Sequence, residues 1–299
     1  MERDSLAYKI RRKIQVLASK VMPDSLMSKF YFKVVLGKKM NLENPQTFNE
    51  KLQWLKLNYF PNNPLVIQCA DKYRVRDYIK KKGFEDKLVP LIGDWDDARK
   101  IDWSKLPQKF VLKGNHGCAY NILCADKDSF DQKGAVKQLS AWLKEDFGAF
   151  NIERHYSKII PHITCEEYLG DNITDYKFFC FNGDPKFIYV SNDLVHDRQA
   201  QIGFFYLDGT KMPLKRNDYT DIPFVELPNF FGDMLNMAKD LCRDFPFVRV
   251  DFFIANNKYY FAELTFTPSA CMMPFNPDKY DLEWGQMLNI ESVLDEKYL

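Results

Sequence analysis

The chain has 299 residues, of which 46% are hydrophobic and 15% aromatic, enough to build a sizeable core. The net charge is only +1, so no global field attracts nucleic acid, and we expect no nucleic-acid partner. Seven scattered cysteines without a CxxC pair favour reduced core thiols over a disulfide framework or a zinc site. No apolar run approaches the roughly 20 residues of a membrane span, and no hydrophobic signal segment opens the chain. We therefore expect a cytoplasmic protein.

Residues 1–60 show mostly helical patterns. The segment 8–22 forms a basic amphipathic helix whose apolar residues near one face are Ile10, Ile14, Val16, Leu17 and Val21. Its charge comes from basic residues that include Arg11, Arg12, Lys13 and Lys20. Such a helix either packs on its own domain or makes a peripheral contact with an anionic membrane or a partner synthase. Farther on, Thr47 and Glu50 form a capping-box pattern that opens a helix through Trp54.

Helical and strand signals alternate after the PNNP break at 61–64. Helices are predicted at 70–83, closed by Gly83, and at 131–148 and 227–245. Strands are predicted within 87–93, 109–125, 162–169, 175–191, 202–212 and 248–270. Asn182-Gly183, Asp208-Gly209 and Asn256-Asn257 are good hairpin turns. The pattern predicts an α+β fold with antiparallel hairpins rather than regular βαβ alternation.

The last hairpin, VRVDFFIANNKYYFAELTFTPSA (248–270), places Asp251 and Glu263 across from each other on paired strands. Two close carboxylates repel unless a cation lies between them. One or two carboxylates completed by substrate phosphates are typical of a magnesium site. Arg249 lies two residues before Asp251 and points to the same face of the strand. The alternative is that both acids are solvated edge residues.

Two upstream segments could bind a nucleotide. An apolar strand delivers Lys113 into a turn over 114–120, where backbone N–H groups could lie over phosphate, although no Walker A loop is present. Glu166 and Glu167 stand at a strand-end corner and could accept hydrogen bonds from an adenine amino group or from ribose hydroxyls. Asp175 and Lys177 follow on the next strand. The alternatives are a simple β-hairpin with a strand-end lysine and exposed loop charges.

In this order the segments resemble the TupA-like (teichuronopeptide biosynthesis-like) branch of the ATP-grasp superfamily. The resemblance is carried by NPQTFNEKLQWLK, CADKYRVRDYI, FVLKGNHG, EEYL, DYKFFCFNG and FPFVRVDFF…FAELTFTP, which lie within residues 41–268. It implies an ATP-grasp fold with the nucleotide between two antiparallel β-sheet subdomains. The implied divisions are a helical N-terminal region (1–60), the first part of the core (61–105), a lid subdomain with the phosphate loop (106–170) and a C-terminal subdomain with the metal site (171–299).

The resemblance also implies ATP and Mg²⁺ as cofactors and assigns roles by position. Lys72 and Lys113 would contact phosphate, with His116 and Gly117 in the phosphate loop. Glu166 and the backbone of Glu167, Tyr168 and Leu169 would bind adenine, while Asp175 lies in the ribose region with Lys177 beside it. Asp251 and Glu263 would be magnesium ligands, joined by Thr265 where many ATP-grasp enzymes have asparagine. Arg249, with Lys113, would stabilise the charge of the reacting phosphoryl–carboxylate centre.

The implied activity is ATP-dependent carboxylate–amine ligation through an acyl phosphate. The implied substrates are the carboxylate of a uronic acid in a surface polysaccharide or its precursor, and a small amine such as an amino acid or amino alcohol. The nucleophile comes from the substrate, so no catalytic Ser or Cys arrangement is required. The alternatives are a sugar kinase on the same scaffold, a nucleotide-sugar glycosyltransferase, a non-catalytic scaffold, and an inactive relic that binds nucleotide. The inactive relic is an alternative because the phosphate loop, Gly117–Tyr120, has few glycines, which leaves its backbone N–H groups less freedom to approach phosphate.

Overall fold

A computed structural model describes residues 6–192, 200–216 and 219–294. The α-helices are α1 (Leu6–Val21), α2 (Asp24–Leu36), α3 (Phe48–Asn58), α4 (Pro64–Ala70), α5 (Val75–Lys81), α6 (Gln132–Trp142), α7 (Arg154–Ser157), α8 (Phe231–Cys242), α9 (Lys279–Met287) and α10 (Glu291–Leu294). The strands are β1 (Leu91–Trp95), β2 (Phe110–Gly114), β3 (Asn121–Cys124), β4 (Ile163–Glu167), β5 (Thr174–Phe181), β6 (Asp184–Asn192), β7 (Gln201–Tyr206), β8 (Thr220–Asp221), β9 (Phe247–Ala255) and β10 (Lys258–Thr265).

The strands form two sheets, as the α+β prediction requires. The four-stranded sheet has the order β1-β4-β2-β3 and is antiparallel throughout. The six-stranded sheet has the order β10-β9-β5-β6-β7-β8 and is antiparallel except for the short β7–β8 pair. The four-stranded sheet includes β1 together with β2, β3 and β4. The expected lid subdomain began only at residue 106, so β1 lies outside the expected bounds of the lid although it belongs to the same sheet.

Helices cover both faces of the six-stranded sheet. On one face α8 packs through Phe231, whose ring stacks on Phe178 of β5 at 5.5 Å. On the other face α3 and α9 meet the sheet through Phe48 and Trp284, both fully buried and 5.5 Å apart. Alternate residues of β5 therefore point into two different aromatic layers, which explains its almost continuously apolar sequence after Lys177.

Several local predictions are confirmed. Asn182 and both residues of Asn256-Asn257 have positive φ, as two-residue hairpin turns of this kind require, and they close β5–β6 and β9–β10. The Thr47–Glu50 capping box opens α3 with both reciprocal bonds. All seven cysteines lie within the described residues, none forms a disulfide, and six are buried. None of the helices in the described ranges is long and apolar enough to cross a membrane.

Several predicted boundaries are wrong. The helix predicted at 70–83 begins only at Val75, and the helix predicted at 227–245 begins only at Phe231. The strand predicted within 87–93 starts only at Leu91, because Glu85–Lys87 forms a 3-10 turn and Pro90 has no N–H for the ladder. The helix predicted at 131–148 ends at Trp142. After Trp142 the backbone hydrogen bonds join residues three apart, as in a 3-10 helix. A separate 3-10 helix then begins where the Asp146 side chain accepts a hydrogen bond from the N–H of Ala149.

Candidate active site

One face of the β5–β9–β10 layer carries five of the polar residues predicted for the site. The register places Asp251 of β9 directly between Lys177 of β5 and Glu263 of β10. Arg249, two residues earlier on β9, stands opposite Thr265 of β10. Directly paired residues share a face of a sheet, so three neighbouring strands bring these five side chains together. The cross-strand pairing of Asp251 with Glu263 agrees with the hairpin prediction.

The centre of this face is a buried ion pair between Arg249 and Asp251. Nε and one terminal nitrogen of Arg249 donate to the two carboxylate oxygens of Asp251, at 2.7 Å and 2.6 Å. This two-pronged geometry is the strongest arrangement available to a guanidinium and a carboxylate. The Asp251 side chain is fully buried. Burial raises the pKa of its carboxyl, against the lowering effects of Arg249 and Lys177.

Glu263 is held by a lysine from outside the sheet. Lys72 Nζ lies 2.6 Å from one Glu263 oxygen, and the hydroxyl of Thr265 donates to the other at 3.1 Å. Burial would raise the pKa of Glu263, but the charges of Lys72 and Arg249 hold it well below its usual range. Burial likewise would lower the pKa of Lys72, and the charge of Glu263 raises it instead. About a third of the Glu263 side chain, 32%, remains exposed, so it is the accessible carboxylate of the pair.

Lys177 links the predicted ribose acid to this centre. Its Nζ donates to Asp175 at 2.8 Å and lies 3.5 Å from Asp251. Burial would lower the pKa of Lys177, and the two carboxylates outweigh that effect and raise it. The face is therefore a continuous row of alternating charges that runs from Asp175 to Lys72.

Lys113 approaches the same region from the four-stranded sheet. It projects from β2 and pairs with Glu166 of the neighbouring strand β4. A second cation, Arg76 of α5, lies 3.4 Å from the other Glu166 oxygen. Lys113 Nζ also lies 5.7 Å from the ring centroid of Phe253, which follows Asp251 on the same face of β9. The two predicted phosphate lysines thus both reach towards β9 and β10. Glu166 is buried against cations, whereas adenine contact was predicted for it.

Asn115 fixes the two lysines relative to each other. It follows β2, and its side chain donates to Asp71 at 2.9 Å and to the Ile160 carbonyl at 2.9 Å. Its carbonyl accepts from the backbone N–H of Lys72 at 3.1 Å. Asp71 in turn caps the α4–α5 turn by accepting from the N–H of Tyr73 at 2.8 Å. The residue before Lys72 and the second residue after Lys113 are therefore joined by a direct hydrogen bond.

His116 and Gly117, which were predicted to lie in the phosphate loop, are engaged in packing. The His116 side chain is buried, with Nε2 2.9 Å from the Trp142 carbonyl and Nδ1 3.3 Å from Asn115 Oδ1, and burial lowers its pKa. At Gly117 an added Cβ would lie 2.7 Å from the Tyr120 ring and 2.8 Å from the Phe147 ring. The glycine is needed for aromatic close packing, which is a sufficient reason for its presence without a phosphate.

The predicted adenine segment follows β4 and touches the opposite sheet. The carbonyl of Leu169 accepts from the Asn256 side chain at 3.3 Å, at the β9–β10 turn. The backbone N–H of Glu167 donates to the Pro90 carbonyl at 3.0 Å, and its side chain is exposed. The half-buried Tyr168 donates its hydroxyl to Asp171. The segment therefore lies at the margin between the sheets, where the resemblance places the nucleotide.

A family comparison decides what this arrangement belongs to. The family model described as TupA-like ATPgrasp matches residues 50–289, which is 240 of the 299 residues. The chain belongs to the TupA-like ATP-grasp family. The two antiparallel-rich sheets agree with the ATP-grasp fold that the sequence predicted, and this superfamily binds ATP.

Solved structures similar to this TupA-like protein are ligases of low sequence identity. D-alanine–D-alanine ligase from Bacillus anthracis is 17% identical over 67% of this chain and 57% of its own, with a TM-score of 0.42. L-amino acid ligase from Bacillus licheniformis is 13% identical over 75% of this chain and 49% of its own, with a TM-score of 0.43. D-alanine–D-alanine ligase from Helicobacter pylori is 17% identical over 81% of this chain and 69% of its own, with a TM-score of 0.49. The chain thus spans roughly half the length of the two Bacillus ligases. No curated protein matches the chain significantly.

The donor types of this TupA-like site suit a magnesium ion, and both Asp251 oxygens accept from Arg249 in this structure. Asp251, Glu263 and Thr265 offer only oxygen atoms, and the Thr265 hydroxyl lies 3.1 Å from Glu263 and 3.5 Å from Asp251. Among the described residues no group of three or more His, Cys, Asp or Glu could hold a metal ion. A pair of carboxylates is nevertheless sufficient for Mg²⁺, which keeps several waters and takes its other ligands from phosphate.

The sequence reasoning missed three residues that organise the site. Arg76 pairs with Glu166, while Asp71 and Asn115 join the two lysine-bearing segments. Asp71 and Arg76 lie in the same ADKYRVR segment that supplied Lys72, and Asn115 lies in KGNHG next to Lys113. The many polar residues around each lysine could have indicated that these segments belong to the site. The residues that they contact are distant in the sequence, so the pairs themselves could not be predicted.

Proposed function

We propose that the protein is an ATP-dependent carboxylate–amine ligase. It would activate a substrate carboxylate as an acyl phosphate and then form an amide with an amine. We further propose that the carboxylate belongs to a uronic acid of a surface polysaccharide or its precursor, and that the amine is an amino acid or amino alcohol. The substrate class follows from the resemblance to proteins of cell-surface polysaccharide assembly.

The single observation that supports ligation most directly is the ion cluster on β5, β9 and β10 within an ATP-grasp family member. Phosphoryl transfer needs positioned positive charge more than it needs a protein nucleophile. Four cations, Lys72, Lys113, Lys177 and Arg249, converge on one region, and each is held by a carboxylate in the described structure. Such groups are oriented before the substrate arrives, which lowers the cost of reorganisation during the reaction.

Each residue has a distinct task in this proposal. Lys72 and Lys113 bind phosphate oxygens, which compete with Glu263 and Glu166 for the two ammonium groups. Arg249, fixed by Asp251, presents its remaining N–H groups towards the oxygens that gain charge as the carboxylate attacks the γ-phosphate. A Mg²⁺ ion held by Asp251 and Glu263 would supply further neutralisation of phosphate charge. The amine then attacks the acyl carbon, phosphate leaves, and the amine proton passes to solvent or to phosphate.

The test is ADP release by the purified full chain with MgATP, a panel of free and nucleotide-linked uronic acids, and a panel of amines. We expect ADP release that requires both substrates, together with a product whose mass is that of an amide. Release of ADP with only the sugar, accompanied by a phosphorylated sugar, would instead establish the sugar kinase alternative. Transfer of a sugar from a nucleotide sugar without ATP would establish a glycosyltransferase.

Two variants make the test specific to the proposed site. Glu263→Gln removes the accessible carboxylate and should lower the rate by about 100-fold or more, as does loss of a preorganised charged group in other enzymes. Asp233→Asn on α8, outside the site, is the matched control and should retain the wild-type rate. Equal rates for both variants would contradict the assignment of the site.

A further inference from the structure

Over residues 10–21, whose side chains the structure describes, one face of α1 holds the helix to the rest of the protein. Gln15 donates its side-chain amide to the Phe150 carbonyl at 3.0 Å, and the Arg12 guanidinium lies 3.7 Å from the Phe150 ring centroid. The carbonyl of Ser19 accepts from Arg154 at 3.0 Å. Positions 12, 15 and 19 lie on the same side of a helix. This side is the attached face of α1, and it is largely polar.

The opposite side of α1 is apolar and faces solvent. Ile10, Ile14, Leu17 and Val21 follow the i, i+4, i+7, i+11 spacing of a narrow stripe. Their exposed fractions are 48%, 61%, 66% and 75%. Of the two alternatives that the sequence left open, packing of this stripe on the domain is wrong for these four residues. Of the α1 side chains that the structure describes, at positions 10–21, Val16 on the attached side is the apolar one that packs against the core.

The second helix also carries exposed apolar side chains. Met27 and Phe32 of α2 are buried, and Phe32 packs in a cluster with Met40 and Met272. The outward residues of α2 remain exposed by about half or more: Leu26, Phe30 and Val34. At the connection between the helices Val21 and Met22 are exposed as well, so exposed apolar side chains continue from one helix into the next. We call these exposed side chains of α1 and α2 the outer apolar surface.

Basic residues flank the outer apolar surface. Those on α1 and α2 that are exposed are Arg11, Lys13, Lys20, Lys29 and Lys33. Residues 1–40 contain ten Lys or Arg and three Asp or Glu, a net charge of +7. The other 259 residues therefore carry −6 of the total of +1. A near-neutral chain thus concentrates its positive charge around an exposed apolar surface.

We propose that the outer apolar surface docks the protein on an anionic lipid bilayer. Aliphatic and phenyl side chains enter the boundary between headgroups and acyl chains, while the flanking lysines and arginines bind anionic headgroups. The helices lie on the membrane, since no helix in the described ranges could span it. The same charge argues against a second copy as the occupant, because two surfaces of strong positive charge repel each other. The inference is independent of the ligase chemistry.

The experiment is co-sedimentation of the full chain with vesicles of phosphatidylcholine alone and with about one third phosphatidylglycerol. We expect binding to the anionic vesicles that weakens as salt rises, because screening shortens the range of the attraction. Lys13→Gln/Lys20→Gln removes two exposed cations. Each basic group near such a surface changes binding by a factor of about five, so the double variant should bind about 25-fold more weakly.

The apolar contribution is tested with Leu17→Ser/Phe30→Ser, which should weaken binding by at least about tenfold. The matched control is Ile160→Ser/Phe224→Ser, which changes two residues at least as exposed, 77% and 73%, outside α1 and α2. It should bind like the wild type. If Leu17→Ser/Phe30→Ser folds poorly, Lys13→Gln/Lys20→Gln still tests binding to anionic vesicles, because it changes only exposed charged residues.

Three outcomes would overturn the proposal. The first is absence of binding to anionic vesicles, and the second is equal binding by the control and the two outer-surface variants. The third is a wild-type dimer in sedimentation velocity that Leu17→Ser/Phe30→Ser converts to a monomer without affecting vesicle binding. That result would identify a second copy of the chain as the partner of this surface.

Discussion

The substitution Asp251→Asn tests the ion cluster most severely. The Asp251 carboxylate is fully buried and accepts from Arg249 at 2.7 Å and 2.6 Å, with Lys177 3.5 Å away. An asparagine keeps the shape but replaces one acceptor by an amide that points hydrogens at a donor. Arg249 and Lys177 then remain buried without the negative charge of Asp251 between them. Breaking a buried ion pair in this way typically lowers the free energy of unfolding by about 3–5 kcal/mol. Catalytic rate should fall by about 100-fold or more at temperatures where the variant is still folded.

The matched control is Asp175→Asn at the end of the same row of charges. Among the described residues Asp175 forms its ion pair with Lys177 alone, at 2.8 Å, and its side chain is 11% exposed. The expected loss is about 1.5–3 kcal/mol, the range of a charged hydrogen bond. Both free energies come from equilibrium denaturant unfolding, with circular dichroism to confirm that the variants are folded in the rate assay. An Asp251→Asn protein as stable as wild type would refute the view that this ion pair organises the site.

Three further predictions concern a phosphate ligand, a buried histidine and a close-packed glycine. Lys113→Met should raise the KM for ATP at least tenfold in steady-state kinetics, whereas Lys105→Met at an exposed position should not. His155 is fully buried with neither ring nitrogen hydrogen-bonded to a described residue, and burial, followed by the charge of Lys56, lowers its pKa to about 3. Below pH 6.5 His155 takes up a proton in the unfolded chain but not in the folded protein, so this residue lowers the free energy of unfolding by about 1.4 kcal/mol per pH unit. His155→Phe should remove this contribution to the pH dependence of the free energy of unfolding, measured from pH 7 to 4.5. Gly117→Ala should destabilise the fold by about 1–3 kcal/mol in denaturant unfolding, unlike Gly232→Ala, where an added Cβ meets no atom within 4 Å.

Each of these predictions can fail in a specific way. An unchanged KM in Lys113→Met would remove this lysine from the phosphate site. An unchanged pH slope in His155→Phe would mean that other groups set the acid stability. Equal stability of the two glycine variants would return Gly117 to a role in ligand binding.

Local chemistry made part of the site predictable from the sequence. The Asn256-Asn257 turn brings β9 and β10 together, so the sequence predicted that Asp251 and Glu263 face each other across the hairpin. The exact pairing also depends on a β-bulge between Phe261 and Glu263, because counting from the turn alone would place Ala262 opposite Asp251. The Thr47–Glu50 capping box was equally readable, because all of its atoms lie within four residues. In both cases the sequence separation is short and the backbone geometry is fixed by a turn or a helix end.

Contacts between distant segments were not predictable in the same way. Asp71 and Asn115 are 44 residues apart, and nothing in either segment indicates which acid the amide meets. Glu166 and Lys113 pair because β4 lies beside β2, and that order depends on the whole sheet. Helical periodicity found the apolar stripe of α1 but could not tell which side meets the protein, since the attached side is held by a hydrogen bond, a ring contact and Arg154.

Carboxylate activation is the central claim, and heavy-oxygen transfer tests it most directly. The full chain is incubated with MgATP, an amine and a uronic acid whose carboxylate oxygens carry the heavy isotope, and the released phosphate is examined by mass spectrometry. If the carboxylate attacks the γ-phosphate and phosphate is then displaced by the amine, one heavy oxygen appears in phosphate for each amide formed. Amide formation with unlabelled phosphate, or ATP consumption that leaves the label entirely in the sugar, would contradict the account.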